Sequence, residues 1–305
     1  MHVNNLLYKI LGVGLTTCLV LTLLAGIISI SGDSCNCPNC SHLLPHIESP
    51  DASTLDIDEP PLKGSKRLAV LVPFRERFDE LMKFAPHMGK FLQRQGIRHQ
   101  FFILNQIDRY RFNRASLLNI GFLFTKSNFD YIAMHDVDLL PLNDNLKYSY
   151  PDTGPLHIAS PELHPRYHYN TFVGGILLVK REHFEAMNGM SNQYWGWGLE
   201  DDEFYLRIRD AGLPLSRPQN ITTGIENTFR HIHDRKHRKR DTEKCFNQKE
   251  VTRKRDRKTG LSTVKYEIVD VNKITIEQVP LTVVNIMLAC DFNATPWCDC
   301  TAKKK

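Results

Sequence analysis

The sequence predicts an α/β fold with a mostly parallel, Rossmann-like sheet, preceded by a single transmembrane helix and a stem. Three observations carry that expectation. Short apolar runs alternate with helix-compatible segments from residue 67 onward, an uncharged apolar run fills residues 10–30, and a turn-rich acidic stretch separates the two.

Residues 1–9 read as a short tail. No charged residue occurs between Lys9 and Asp33, and as a helix rising about 1.5 Å per residue the 10–30 run covers the roughly 30 Å hydrocarbon core of a bilayer. A cleaved signal peptide or a buried core helix would be the competing readings. The run is long for the first and shows no polar face for the second. Lys9 and His2 on the short flank put the N-terminus in the cytoplasm and the rest in a lumen. Residues 31–66, with SPDASTLDIDEPP, lack apolar periodicity and read as a flexible luminal stem. The sequons at Asn39, Asn220 and Asn293 agree with that topology.

The remaining residues, 67–305, form the luminal domain. RLAVLVPF (67–74) predicts a strand, 78–95 a helix interrupted at Pro86, and HQFFIL (99–104) a second strand. Residues 114–127 suit a helix, and 131–135 a third strand. Such alternation favours right-handed βαβ units, whose ligands bind beyond the carboxyl ends of the strands.

Cys245, Cys290, Cys298 and Cys300 can form two disulfides in an oxidising lumen, with pairing open; a zinc cluster is the alternative, but the spacing suits it poorly. Cys35, Cys37 and Cys40 read as cross-links between subunits or with each other. The net charge of +5 is local, since residues 230–258 hold thirteen Lys or Arg and five Asp or Glu; nucleic acid is therefore not an expected partner. That basic segment reads either as a solvated charge run or as an electrostatic guide for acidic proteins and glycosaminoglycan.

Asp136 and Asp138 follow the third strand. In extended chain, positions i and i+2 face one way, so two carboxylates point together toward a hard cation. His231 and His233 repeat the device with imidazoles, and the combined set suits an octahedral borderline metal, Mn²⁺ ahead of Mg²⁺ or Zn²⁺. WGWGLEDDE (195–203) joins aromatic faces and glycines to four consecutive acids. Such a cluster is either a helix N-terminus favoured by the macrodipole or a sugar platform on Trp197 with a carboxylate base and a glycine-hinged lid. Arg75 and Arg77 after the first strand, and Phe112 and Arg114 before the second helix, suit a phosphate, ribose and base.

Taken in order, PFRER, FNRA, DVD, VGG (173–175), WGWGLEDDEF and HxH resemble the β-1,4-galactosyltransferase family over about residues 67–300. The resemblance implies a GT-A fold, a type II protein of the Golgi membrane, and Mn²⁺-dependent, inverting transfer of galactose from UDP-galactose. It implies that Asp138, His231 and His233 ligate Mn²⁺ and that Asp201 is the catalytic base. The donor would be held by Pro73, Phe74, Arg75, Arg77, Phe112, Arg114, Asp136, Val137 and Tyr167. Tyr169, Trp197, Glu200 and Asp202 would contact the acceptor and sugars. Where most members have Met-x-x-His this chain has His-x-His, which points to the branch acting on xylose linked to serine of proteoglycan core proteins. Where most have glycine it has Leu199, which touches the acceptor contacts. A related galactosyl- or N-acetylgalactosaminyltransferase using N-acetylglucosamine, a metal-dependent phosphohydrolase and a non-catalytic sugar-binding protein are the alternatives.

Overall fold

Eight residues, Arg67–Phe74, form β1, and their alternation organises the molecule. Leu68, Val70 and Val72 enter one apolar cluster; Ala69 and Leu71 enter another on the opposite face. A strand buried on both faces needs helices on both faces. In this computed structural model, which describes residues 66–234 and 238–301, they are supplied by α1 (Phe78–Arg94) on the first side and α2 (Arg114–Thr125) on the second. The expected anchor at 10–30, nearly all of the stem, Asn39, Cys35, Cys37 and Cys40 lie outside the described residues. Among the described residues no helix is long and apolar enough to cross a membrane.

Pro86 does not interrupt α1 as the sequence suggested. Its ring removes one N–H donor, yet Leu81, Phe84, Ala85, Met88, Phe91 and Leu92 bury a continuous face on the sheet. β2 (Arg98–Gln106) and β3 (Tyr131–His135) flank β1 in parallel register, Arg67 opposite Arg98 and Leu68 opposite Tyr131.

The sheet is mixed, which corrects the mostly parallel expectation. Seven strands run β5-β6-β3-β1-β2-β9-β8, and only the central β3-β1-β2-β9 group is parallel. β5 (Leu156–His157) and β6 (Ile176–Lys180) pair antiparallel beyond β3, and β8 (Tyr266–Ile276) pairs antiparallel with β9 (Val279–Leu288). The reason lies in the connections. A parallel neighbour needs a crossover, whereas β8 and β9 are joined by the two-residue turn Glu277–Gln278, both at positive φ (44° and 70°), the conformation a tight hairpin requires.

A second, two-stranded ribbon positions the site. β4 (Leu139–Pro141) pairs antiparallel with β7 (Phe229–His231), Leu139 opposite His231, which follows the short helix α5 (Gly224–Thr228). Further on come α3 (Arg181–Ala186), directly after β6, and α4 (Glu200–Asp210). Buried Arg207 fastens α4. Its guanidinium donates to both carboxylate oxygens of Glu203 (3.0 and 2.9 Å) and to the carbonyls of Gly189 (3.1 Å), Asp256 (3.0 Å) and Thr259 (2.8 Å). The four C-terminal cysteines pair as disulfides, Cys245 with Cys300 and Cys290 with Cys298, at Cα separations of 5.7 and 6.1 Å, which removes the zinc alternative.

Candidate active site

β1 and β3 end on the same edge of the sheet, and the residues that follow them open a cavity of about 680 Å³, a size typical for small-molecule sites. Of the site residues expected from sequence, all but Phe74 line it. Phe74 packs against the α1-side cluster. The period of two accounts for this, since Phe74 shares a face with Leu68, Val70 and Val72 while Pro73 and Arg75 share the other.

The carboxylates of Asp136 and Asp138 do not act as a pair. After β3 the chain turns, and Asp136 accepts from Arg114 Nε at 2.8 Å while Asp138 Oδ2 accepts from Arg77 at 2.6 Å. The β4–β7 ribbon brings the imidazoles to Asp138: Ile232 N donates to the Asp138 carbonyl at 2.8 Å, leaving His233 Nδ1 at 3.2 Å and His231 Nε2 at 3.8 Å from its carboxylate. Burial by itself would raise the Asp138 carboxyl, but His233, His231 and Arg77 hold it well below the usual range. Burial lowers His231, which keeps it neutral, the state a ligand needs.

Two imidazoles and one ionised carboxylate fit a borderline divalent cation. No group of three or more His, Cys, Asp or Glu side chains among the described residues is arranged to hold a metal ion as it stands. The Arg77 guanidinium touches both Asp138 and His233, with Nη2 2.6 Å from Asp138 Oδ2 and 3.0 Å from His233 Nδ1, and its Nε pairs with Glu80 at 2.9 Å.

Facing this set is the N-terminus of α4. Glu200, Asp201 and Asp202 line the cavity, whereas Glu203 turns inward to Arg207, so the four acids divide three to one. Asp201 is pushed up to about 8, first by burial and then by the charges of Glu200 and Asp202, with Arg114 only partly offsetting them. Burial also raises Glu200, whose Oε2 has no hydrogen-bond partner among the described residues. The Tyr169 hydroxyl bonds Asp202. Gly174 makes room for the Asp201 carboxylate, because a Cβ there would sit 2.5 Å from Asp201 Oδ2.

Trp197 is 44% exposed over the cavity, with the Arg240 guanidinium 4.7 Å above its ring; Trp195 is core. Leu199 caps α4 at φ +77°, a left-handed conformation that favours glycine. Arg240 also donates to Tyr167 Oη at 2.5 Å, so part of the basic segment closes one wall instead of running free.

Arg75, which lines the cavity as expected, also braces a neighbouring loop. It donates to the carbonyls of Gln106 (3.1 Å), Tyr110 (2.6 Å) and Asp108 (2.9 Å), holding the loop that presents Phe112. Two further contributors escaped the sequence reading. Arg111 grips Asp241 through two nitrogens (2.6 and 2.8 Å), and its guanidinium leaves no space for a side chain at Gly196. His164 Nδ1 accepts the backbone N–H of Arg166 and Tyr167, both at 3.0 Å, and burial holds it down to about 3, so it stays an acceptor. Neither stands in a motif of its own; their partners are remote or backbone groups.

Residues 58–151 match a family described as the N-terminal region of glycosyl transferase group 7, and residues 154–232 one described as the N-terminal domain of galactosyltransferase. The chain is 70% identical over 236 residues to beta-1,4-galactosyltransferase 7 of Drosophila melanogaster, covering 77% of this chain and 73% of that one. The chain belongs to the β-1,4-galactosyltransferase family. Identity to the Homo sapiens protein of the same name is 59% over 235 residues (77% and 72% covered), and to the xylosylprotein 4-beta-galactosyltransferase of Caenorhabditis elegans 48% over 254 residues (81% and 88%). The structure superposes on the catalytic domain of the Drosophila protein in complex with xylobiose with a TM-score of 0.76 at 69% identity, covering 77% of this chain and 99% of that one. A variant of that protein, solved with manganese, UDP-Gal and xylobiose, matches equally. The architecture is therefore the GT-A glycosyltransferase fold with a mixed sheet.

Proposed function

We propose that this chain transfers galactose from UDP-galactose to O4 of xylose on serine of proteoglycan core proteins, with inversion and with Mn²⁺. The observation that carries the reading is the placement of a carboxyl with a raised pKa, Asp201, in one cavity with Asp138, His231 and His233. Support comes from relatives named beta-1,4-galactosyltransferase 7 and xylosylprotein 4-beta-galactosyltransferase and from the Drosophila variant solved with manganese, UDP-Gal and xylobiose.

In this reading Asp201, once ionised, takes the proton from the acceptor hydroxyl as its oxygen attacks the anomeric carbon. Gly174 gives that carboxylate its space, and the Arg207 network fixes the helix that carries it. Glu200, with an oxygen unpartnered, accepts from a sugar hydroxyl, and the exposed Trp197 ring offers an apolar sugar face a platform. Arg114 stays cationic and holds Asp136 toward the ribose. Mn²⁺ held by Asp138, His231 and His233 would supply Lewis-acid stabilisation of charge growing on the departing diphosphate.

The same reading makes the chain a single-pass type II protein of the Golgi membrane, anchored by residues 10–30. Two disulfides suited to an oxidising lumen and the exposed sequons Asn220 and Asn293 support it. Protease protection in sealed microsomes checks the topology, and a protected N-terminal tail would exclude it.

The decisive assay is UDP release by residues 67–305 with Mn²⁺, UDP-galactose and a β-xyloside, against N-acetylglucosamine as acceptor and EDTA as control. Metal-dependent release with the xyloside alone is the expected result. Release with N-acetylglucosamine alone would move the chain to another acceptor class.

A further inference from the structure

From residue 238 onward the basic segment is fastened along its length. Leaving the cleft rim, residues 238–259 touch the Trp197 loop through Trp197 N and the Asp241 carbonyl (2.7 Å), then the Trp195 carbonyl through Gln248 (2.8 Å), then Tyr194 Oη through the Thr252 carbonyl (3.2 Å). They reach the far end of α4 where Arg255 pairs with Asp210 and Asp256 meets Arg207. The segment thus runs from the cavity to the opposite end of the helix whose first turn carries Asp201.

Its charges are unevenly spent. Asp241 is taken by Arg111, and Asp256 is buried against Ser191 (2.6 Å) and Thr259. Lys239, Lys249, Arg253, Lys254, Arg257 and Lys258 are exposed, and among the described residues none of the six forms an ion pair. Asp241, Glu243 and Glu250 are the exposed acids between them, and of these Asp241 is paired with Arg111. A merely solvated charge run needs no such anchoring; a displayed row of cations starting at the cleft does.

We infer that these cations form a docking track for an acidic stretch of the polypeptide that carries the acceptor sugar, an inference resting on the galactosyl-transfer reading above. Length supports the assignment. α4 spans about 15 Å, a distance that extended polypeptide covers in about five residues. Carboxylates five or more residues from the sugar-bearing serine would therefore lie over Arg253–Lys258. A chain tethered through its sugar is delivered to the rim where the track begins, whereas an untethered polysaccharide or a membrane has no reason to start there.

The test compares three acceptors with the luminal chain and with a variant carrying Arg253→Gln, Lys254→Gln, Arg257→Gln and Lys258→Gln. The acceptors are a small β-xyloside, a neutral xylosylated peptide, and one with Asp and Glu five to eight residues from the serine. At low salt the acidic peptide should show a KM below the neutral one by on the order of tenfold, and the variant should lose that difference with kcat and xyloside kinetics unchanged. Equal KM values for the two peptides in the native chain, with the xyloside turned over, would overturn the track while leaving the activity intact. Failure on the xyloside itself would instead remove the activity reading. Fluorescence anisotropy of the acidic peptide without sugar gives a reading independent of turnover: salt-sensitive binding supports the track, and none overturns it. Loss of binding to a sulfated polysaccharide or to anionic vesicles in the variant, with peptide KM unchanged, also overturns it and assigns the cations to that partner.

Discussion

A carboxyl held near 8 at the start of α4 has opposite consequences for activity and stability. In the base role proposed above Asp201 must be ionised, so acceptor kcat/KM should rise with pH and level off above about 8. In the same interval the folded chain binds a proton that the unfolded chain has released, so stability falls as pH climbs from the ordinary carboxylate range through about 8. Asp201→Asn should therefore lower turnover by about 10² to 10⁴ and at neutral pH raise Tm, with UDP-galactose binding retained; a thermal melt and calorimetric titration read both. Near-normal turnover would remove the base assignment. Gly174→Ala acts on the same oxygen from the other side, since its Cβ arrives 2.5 Å from Oδ2; kcat should fall with little change in donor affinity. The motif acids were legible in sequence because burying them demands a reason. What sequence could not separate was Glu203 from its three neighbours, since only folding turns it toward Arg207.

Among the elements, α4 depends on Arg207, whose removal leaves Glu203 and Asp256 buried together. Arg207→Leu should destabilise by about 3–5 kcal/mol, the cost of breaking a buried pair, and denaturant titration measures it. Leu199 presents the reverse case: a β-carbon in the left-handed region costs about 1–2 kcal/mol, and it borders the cavity. Leu199→Gly should recover about that much stability; an unchanged midpoint would show that the surroundings already absorb the strain. The strands β1 and β3 and the helices α1 and α2 were legible because apolar periodicity is local. β4 and β7 were not foreseen as partners, because three-residue strands carry almost no pattern and their pairing joins residues about ninety positions apart. Yet that ribbon is what carries the HxH pair to Asp138.

For the whole molecule, sequence alternation predicted the α/β class and missed the sheet's direction, since strand polarity follows from connections that a local pattern does not encode. The disulfides are a global feature too. Cys245–Cys300 fastens the segment after the HxH pair to the chain's last described residues, so Cys245→Ser with Cys300→Ser should lower Tm by several degrees, about 2–4 °C for each kcal/mol lost, and reduction, which opens Cys290–Cys298 as well, should lower it at least as far. One further consequence lies in strand order. β9, among the last elements made, is not at the rim of the sheet but between β2 and β8. A ribosome releasing this chain from its N-terminus must therefore extrude almost the entire sequence before β2 gains its second neighbour. Until then Phe101–Gln106 offers open backbone to any passing strand. Nascent chains halted before Val279 should consequently aggregate or recruit chaperones, while those released after Leu288 should close on themselves, so the time spent emerging from the ribosome is the period in which this protein is most exposed to loss.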